Sequence, residues 1–343
     1  MREALLDYLL CPSCQNELES RAVTSDGDHV VSGSLVCKGC AADYPVVRGV
    51  PRMNISMDAL RRVARTFSYE WRAHSEGRLE KEGTLWGLTA DEDWSYFREA
   101  TGLADAELRG AVVLDAGCGS GRLTRQIGQR EPKAVIGVDM IDAVDGAFAA
   151  TKELPNVHII QGNIFELPLR RHGFDVVWSN GVIHHTPDAR GAHAALAEMV
   201  RPEGLLYVWV YAKRFNPFRF TKDVLDALHV TRLPEPALLT VSKVFAYLSV
   251  GLHAGYKCAR HVPPFRPRGR WAERSMRKRT VHELSLTWFD ALSPEFDSRH
   301  SEHEVMAWFE QLGFSAITAI EEPKVGVRGV APRPASAKAR RER

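Results

Sequence analysis

The sequence has little cysteine, little net charge and no long apolar run. Six cysteines in 343 residues are too few for the disulfide framework of a small secreted protein. No stretch of about twenty apolar residues is present to span a bilayer. The first ten residues contain acids and lack a small-residue cleavage site, which argues against a secretory signal. A net charge of +2 selects neither nucleic acid nor a membrane surface as partner, so we expect a cytoplasmic globular protein.

Hydrophobic residues make up 45% of the chain, which is enough for a large core and a smaller domain. Composition and pattern divide the chain into six segments. They are a small cysteine-containing domain over 1–55, a helical linker and cofactor cover over 56–108, a core over 109–212, a helical lid or substrate insertion over 213–300, a C-terminal helix with the last strands over 301–330, and a basic tail over 331–343. We expect the tail to be disordered because it has almost nothing to bury.

Short apolar, β-branched runs alternate with helical stretches in the core. This alternation predicts an α/β fold, in which a doubly wound parallel sheet is covered by helices on both faces. The predicted strands are 111–114, 134–138, 157–160, 174–178 and 205–210, followed after the insertion by 316–320 and 325–330.

A glycine-rich loop follows the first of these strands. Gly117, Gly119 and Gly121 alternate along it, and such spacing lets the backbone turn sharply and approach a ligand. Asp139 ends the next strand, where a carboxylate can accept hydrogen bonds from both hydroxyls of a ribose. A dinucleotide fingerprint would need glycine where Arg122 stands, so the pattern favours another nucleoside ligand. A tight turn without a ligand is the alternative.

Four motifs in this region resemble the class I S-adenosylmethionine-dependent methyltransferases, and in particular a bacterial methyltransferase-11-like subgroup. They are the loop from Asp115 to Gly121, Gln161–Ile164 after the third strand, Phe174–His185, and Leu205–Val208. The resemblance implies a Rossmann-like seven-stranded sheet and S-adenosylmethionine as cofactor. The cofactor-binding residues it implies are Asp115, Gly117, Cys118, Gly119, Gly121, Asp139, Met140, Asn163, Ile164 and Asn180.

One position departs from the resemblance. Asn163 stands where the family usually has aspartate. An amide can still form hydrogen bonds with adenine, now as a donor as well as an acceptor. We therefore expect altered contacts to the cofactor rather than lost binding.

Candidate catalytic residues lie beyond the fourth predicted strand, at the edge where open α/β sheets bind ligands. A histidine there could remove a proton from the methyl acceptor and contribute roughly 10² to 10⁴ in rate. His184 and His185 are the candidates, with His185 slightly favoured. The alternative is that both histidines cap and orient the following Thr186–Asp188 turn. His300 is a third candidate, in a segment that resembles an active-site closure of the same subgroup, and Ser301 beside it matches a helix cap.

The linker carries two aromatic residues, Tyr69 and Trp71, in a segment that also resembles the bacterial subgroup. There the segment packs over the cofactor, and an aromatic face near a sulfonium would supply cation–π attraction. Both residues are therefore candidates for cofactor binding. Ordinary packing of a helix is the alternative interpretation.

The N-terminal domain carries two Cys-x-x-Cys pairs, Cys11 with Cys14 and Cys37 with Cys40. Two such pairs can supply four thiolates to one tetrahedral zinc ion, which leaves no open position for catalysis. The sequence therefore predicts a structural zinc site, with a redox dithiol as the alternative. The domain resembles the zinc-ribbon activator of some tRNA, rRNA and protein methyltransferases, here fused to its catalytic domain. It also resembles the zinc ribbon of rRNA guanine methyltransferases, although a histidine usually completes that site.

The insertion combines an apolar stretch, 238–256, with a run from Arg260 to Arg279 that has eight basic residues and one acid. We interpret it as a helical cap over the substrate; binding of nucleic acid or of a lipid-linked substrate is the alternative. The predicted function is methyl transfer to O, N or C of a small molecule, as in bacterial natural-product biosynthesis. An RNA or protein methyltransferase that docks through the zinc ribbon is the second hypothesis, and a scaffold that only binds the cofactor is the third. The sequence predicts no oligomeric state.

Overall fold

The computed structural model describes residues 1–53, 60–76, 88–213, 217–259, 280–321 and 325–333. The chain forms two compact units. One unit contains Met1–Arg61, Trp94–Ala212 and the described part of Phe296–Arg343, and the other contains the described parts of Arg62–Asp93 and Lys213–Glu295. Both β-sheets and every predicted core strand lie in the first unit.

The N-terminal domain is a four-stranded antiparallel sheet in the order β1-β2-β3-β4. Its strands are β1 (Leu18–Asp26), β2 (His29–Cys37), β3 (Asp43–Val47) and β4 (Val50–Pro51). β1 escaped prediction because, apart from Leu18, its residues are exposed or half-buried and carry no apolar alternation.

The core sheet has seven strands in the order β10-β11-β9-β8-β5-β6-β7. These strands are β5 (Val112–Ala116), β6 (Ala134–Asp139), β7 (Val157–Gln161), β8 (Phe174–Asn180), β9 (Val200–Val210), β10 (Ser315–Glu321) and β11 (Val325–Val330). Strands β5 to β9 run parallel, as predicted, whereas β11 pairs antiparallel with both β9 and β10. The three residues between β10 and β11 are too few for a crossover connection, which accounts for the antiparallel pairing of these two strands.

Ten α-helices are described. They are α1 (Arg61–Ser75), α2 (Ala90–Thr101), α3 (Asp105–Leu108), α4 (Arg122–Gly128), α5 (Ala143–Thr151), α6 (Ala189–Ala197), α7 (Pro217–Ala227), α8 (Glu235–Ala259), α9 (Val281–Leu292) and α10 (Glu302–Gln311). The predicted cap at Ser301 is confirmed, because its hydroxyl accepts a hydrogen bond from the Glu304 backbone N–H at 3.2 Å. None of the helices in the described ranges is long and apolar enough to cross a membrane.

Two hydrophobic clusters form the core of the first unit. Successive side chains of a strand point to opposite faces, so Val112 and Leu114 of β5 join one cluster and Val113 joins the other. The second cluster contains a stack of Trp178 on Tyr207, with ring centroids 4.2 Å apart. The sheet is therefore buried on both faces, which holds the loops at its carboxyl edge in fixed positions.

The N-terminal domain packs against the edge of the core sheet. Arg52, just after β4, forms a parallel bridge with Gln161 at the end of β7. The Met53 backbone N–H donates to the Gln161 carbonyl at 2.8 Å, and the Arg52 guanidinium donates to the Asp145 carboxylate on α5. The domain thus covers the outer edge of β7, the last strand of the core sheet.

The second unit is helical, as the sequence predicted for the insertion. Helices α8 and α9 bury Leu238, Leu286 and Phe289 together, and the rings of Phe245 and Trp288 lie 4.8 Å apart. The predicted apolar stretch 238–256 lies within α8. The basic run 260–279 and most of the predicted tail, from residue 334 onward, fall outside the described residues.

Candidate active site and zinc centre

Four cysteine sulfurs converge in the N-terminal domain, as predicted. All four lie within 4.8 Å of one another, with 3.3 Å between Cys14 and Cys37 and 3.7 Å between Cys11 and Cys40. Tetrahedral zinc with Zn–S bonds of about 2.3 Å would place its sulfurs about 3.8 Å apart. The cluster therefore fits one zinc ion held by four thiolates, with no position left for a substrate.

Hydrogen bonds reach the sulfurs of Cys14 and Cys37, and those to Cys14 favour its thiolate. The backbone N–H of Gly39 donates to the Cys37 sulfur at 3.3 Å. The side chain and backbone of Asn16 donate to Cys14 and lower the pKa of its thiol to about 6. A deprotonated sulfur is the form that binds zinc, so the local hydrogen bonds suit the metal as well as the distances do.

The glycine loop leaves no room for side chains. Gly117 adopts a φ of +86°, and a Cβ built there would lie 2.1 Å from the Val182 side chain. Gly121 is the N-cap of α4 with a φ of +77°, and its Cβ would lie 2.9 Å from Ala147. The loop is therefore a bare backbone cradle at the start of a helix, as a closely bound nucleoside requires.

Two carboxylates flank this cradle, of which Asp115 is buried and Asp139 is half-buried. Asp139, at the end of β6, accepts the Gly119 backbone N–H at 2.8 Å, and burial raises its pKa while such hydrogen bonds oppose the rise. Asp115, on β5, accepts the Thr124 hydroxyl at 2.6 Å, and burial raises its pKa to about 6. Asp139 thus stands fixed at the sheet edge, in the position predicted for the ribose-binding acid.

The remaining predicted cofactor residues lie around the same edge. The Met140 carbonyl accepts the Gln161 side-chain amide at 3.1 Å, and Cys118 packs against Gly137. The Asn163 side-chain oxygen accepts the Phe165 backbone N–H at 3.1 Å and caps the turn Ile164–Glu166. Asn163 is thus engaged locally through its oxygen, so a contact to adenine would fall to its NH₂ group. Asn180 is exposed at the end of β8.

The two predicted histidines are buried at the carboxyl end of β8, in the turn Ile183–His185. The His184 and His185 rings lie 4.1 Å apart, and the His184 ring lies 4.0 Å from that of Tyr211. The cap of the following helix is Asp188, whose carboxylate accepts the Gly191 N–H at 2.9 Å. Side-chain capping of this helix therefore falls to Asp188 and not to either histidine.

The hydrogen bonds distinguish the histidines chemically. The Nδ1 of His185 lies 3.0 Å from the Phe296 carbonyl, which only accepts, so this nitrogen donates. In the neutral ring the lone pair then lies on Nε2, the arrangement that a general base uses. In contrast, His300 contacts the Glu304 carboxylate through Nδ1 at 2.8 Å and the Ser298 hydroxyl through Nε2 at 3.0 Å.

The segment before α10 lies directly against the histidine turn. The Ser298 backbone N–H donates to the His184 carbonyl at 3.0 Å, and the His300 N–H donates to the Tyr211 carbonyl at 2.9 Å. The structure therefore places the backbone of the His300 segment against the histidine turn, and a catalytic role for His300 stays a prediction. Both of its ring nitrogens are engaged within the segment, which suits a positioning role better than proton transfer.

Tyr69 and Trp71 belong to the second unit. Within it the Tyr69 ring lies 5.7 Å from that of Phe289, and the Trp71 ring lies 5.8 Å from that of His74. Their role in cofactor binding stays a prediction.

Sequence reasoning missed three residues that the structure places at this edge: Arg52, Tyr211 and Arg299. Only Arg299 had a usable signal, since it stands in the segment already singled out around His300. The others act through contacts between residues that are distant in sequence.

Comparison with known proteins agrees with this geometry. Residues 114–208 match the family described as methyltransferase domain, and residues 2–49 match the Trm112p-like proteins. The chain thus carries a region similar to Trm112p-like proteins ahead of a region similar to methyltransferase domains. The methyltransferase match supports S-adenosylmethionine as the cofactor, and the Trm112p-like match together with the cysteine cluster supports a structural zinc ion.

Similar proteins differ in what they act on. A trans-aconitate 2-methyltransferase from Deinococcus radiodurans is 42% identical over 30% of this chain and 38% of its own length. A tRNA U34 carboxymethyltransferase from Pseudoalteromonas atlantica is 33% identical over 33% of this chain and 35% of its own length. The solved magnesium protoporphyrin IX methyltransferase of Synechocystis, with bound SAH, is 16% identical, with a TM-score of 0.46 over 78% of this chain and 97% of that chain. This chain therefore spans less than half the length of these two curated relatives.

Proposed function

We propose that this chain transfers the methyl group of S-adenosylmethionine to O, N or C of a small-molecule acceptor. One observation carries the proposal: the glycine cradle and the buried histidine pair share the carboxyl edge of the sheet. Val182, immediately before the histidine turn, packs against Gly117 of the cradle. A donor in the cradle and an acceptor at the histidines would therefore be neighbours.

When bound, S-adenosylmethionine supplies an electrophilic methyl group for in-line displacement. The protein's main task is then to align the acceptor and exclude water. Asp139 is placed to hold the ribose, and the loop glycines allow the nucleoside to lie against the backbone. His185 is placed to accept a proton from a hydroxyl or amine acceptor through Nε2, because the Phe296 carbonyl holds the proton on Nδ1.

The histidine roles can be tested by replacing each ring. We expect His185→Gln to lower kcat by roughly 10² or more, since a general base contributes about that much. The His184 ring packs on Tyr211. We therefore expect His184→Gln to alter acceptor affinity more than kcat. Cofactor affinity, measured separately, should stay close to that of the wild type in both variants. Unchanged turnover in both variants would refute the base assignment.

The acceptor class can be found with methyl-labelled S-adenosylmethionine and a cell extract as the source of acceptors. We expect the label to appear among small molecules. Binding of the cofactor without transfer to any fraction would contradict the proposed activity and would favour a scaffold.

An RNA acceptor is the second candidate. It is favoured by the Trm112p-like domain and by relatives named tRNA U34 carboxymethyltransferase. In the labelling experiment it would place the label in RNA. RNA binding should also weaken steeply as salt is added, because phosphate contacts release counterions, whereas binding of a small neutral acceptor should change little.

A further inference from the structure

Arg299 occupies a fixed position beside the histidine pair. Its neighbours in sequence are both anchored there: Ser298 to the His184 carbonyl at 3.0 Å and His300 to the Tyr211 carbonyl at 2.9 Å. The isolated bridge between Ala212 and His300 extends this anchoring to the end of β9. The backbone of Arg299 is therefore held at the carboxyl edge on which the proposed acceptor site lies.

The Arg299 side chain turns inward rather than into solvent, since only 18% of it is exposed. Its guanidinium carbon lies 5.4 Å from the centre of the Tyr211 ring, a distance at which a cation is attracted by an aromatic face. One guanidinium nitrogen, Nη2, lies 3.4 Å from the Asp297 carboxylate. These two contacts fix the plane of the guanidinium.

The Nε–H of Arg299 is buried and has no hydrogen-bond acceptor among the residues that the structure describes. A buried charged donor without an acceptor is costly and calls for an explanation, and an acceptor brought by a ligand would supply one. The guanidinium presents its donors in one plane, in a geometry that matches a carboxylate. Arg299 is therefore built to receive an oxyanion at this edge of the sheet.

Charge distinguishes between the two common oxyanions. Arg299 is a single cation, and the Asp297 carboxylate already offsets part of its charge. The pair is neutral overall, so a bound carboxylate would leave one uncompensated negative charge and a phosphate dianion would leave two, in a largely buried place. The site consequently favours carboxylate over phosphate.

We propose that Arg299 binds a carboxylate of the methyl acceptor and thereby orients the acceptor beside His184 and His185. This inference rests on the proposed methyltransferase function. It makes Arg299 a binding residue that selects acidic acceptors, and it leaves open which atom of the acceptor is methylated.

The test uses small probes of matched shape, benzoate, benzamide and phenyl phosphate, since Tyr211 and Trp209 supply aromatic surface nearby. Binding of each probe to the zinc-loaded full chain is followed by ligand-observed NMR in the presence of S-adenosylhomocysteine. We expect benzoate to bind roughly 10- to 100-fold more tightly than benzamide, the ratio expected for hydrogen bonds to a charged group. Arg299→Gln should abolish this preference, and Arg299→Lys should retain only part of it because the planar fork is lost.

Arg201→Gln is the matched control. Arg201 pairs with Asp175 near the opposite, amino end of β8, and its loss should leave the preference for benzoate unchanged. Affinity for S-adenosylhomocysteine, measured in every variant, reports on the cofactor site alone. If the wild type does not bind S-adenosylhomocysteine, the proposed function is refuted, whatever the probes show.

Three results with benzoate and benzamide would overturn the carboxylate assignment. They are equal binding of benzoate and benzamide, a preference that survives in Arg299→Gln, and failure of benzoate to bind the wild type at tens of millimolar. Tighter binding of phenyl phosphate than of benzoate would overturn it in favour of a phosphorylated acceptor.

Discussion

Replacing Arg52 tests whether the zinc domain supports the cofactor site. The Arg52 side chain is 15% exposed, and its guanidinium donates to the Asp145 carboxylate, to the Gln161 side-chain oxygen at 3.2 Å and to the Val47 carbonyl at 3.2 Å. The change Arg52→Met keeps an apolar stem of similar length and removes all three donors. It thus separates the contacts of the guanidinium from the packing of the side chain.

The expected loss of stability follows from these contacts. A hydrogen bond to a charged group contributes about 1.5–3 kcal/mol, and the partial exposure of Asp145, 24%, reduces that value. We expect Arg52→Met to destabilise the first unit by about 2 kcal/mol, which corresponds to a fall in Tm of about 4–8 °C. Arg48 binds the same carboxylate, but its side chain is 72% exposed. The change Arg48→Met should therefore cost less than about 1 kcal/mol.

Arg52 also contributes to the predicted cofactor site through the residues Asp139 and Met140 after β6, which we call the cofactor loop. The Gln161 side chain that it contacts donates to the Met140 carbonyl at 3.1 Å, immediately after Asp139. Without Arg52 the Gln161 amide keeps its hydrogen bonds to Met140 and Asp142 but loses the one from Arg52, so it holds this carbonyl less firmly. We expect the Kd for S-adenosylhomocysteine to rise several-fold in Arg52→Met and to stay unchanged in Arg48→Met.

The two variants are compared by thermal unfolding and by calorimetric titration, with zinc content measured in each. Equal effects on Tm would refute the argument from burial, because both arginines bind the same acid. An unchanged cofactor Kd alongside a lower Tm would refute the link through Gln161 while leaving the stability argument intact.

Three further predictions concern single positions. Gly117→Ala should abolish cofactor binding because its Cβ would meet Val182 at 2.1 Å. Gly110 also has a positive φ, but a Cβ there would meet nothing within 4 Å. As the control, Gly110→Ala should therefore cost only about 1–2 kcal/mol of stability in unfolding experiments. Metal analysis should find one zinc per chain, and Cys37→Ser should lower both zinc content and Tm; a zinc-free, fully stable chain would contradict this. Burial raises the pKa of Asp115 to about 6, so the ionised carboxylate destabilises the native state. The lost stability is regained as the pH falls below 6. Asp115→Asn should therefore stabilise the unliganded chain by up to about 3 kcal/mol at pH 7.5 and by much less at pH 4. The measurement is chemical denaturation at both pH values, and equal stabilisation at the two would refute the reasoning.

Local signals made the sheet and the cradle predictable. The strands β5 to β8 were foreseen because they are buried on both faces, which requires continuous apolar runs. Gly117 and Gly121 were foreseen because the positive φ and close contacts at these positions exclude a side chain. In both cases a few neighbouring residues contain the whole physical requirement.

Contacts between distant residues were beyond the same reasoning. The proton position on His185 depends on a carbonyl 111 residues away, and the Arg52 contact with Gln161 joins residues 109 apart. Neither the Phe296 carbonyl nor Arg52 lies in a local sequence pattern that reveals its partner. The roles of His300 and Arg299 likewise became distinguishable only from the hydrogen bonds of their side chains.

The edge of β7 connects the predicted zinc site with the predicted cofactor site. An open strand edge presents unpaired backbone groups, and the zinc domain covers part of this edge through Arg52 and Met53. The same strand ends at Gln161, which holds the Met140 carbonyl of the cofactor loop. If the zinc domain stabilises this loop, thermodynamic linkage requires the cofactor to stabilise the docked zinc domain by an equal free energy. Bound S-adenosylhomocysteine should therefore slow the release of zinc to a chelator, and it should do so less in Arg52→Met, where the connection through Gln161 is cut.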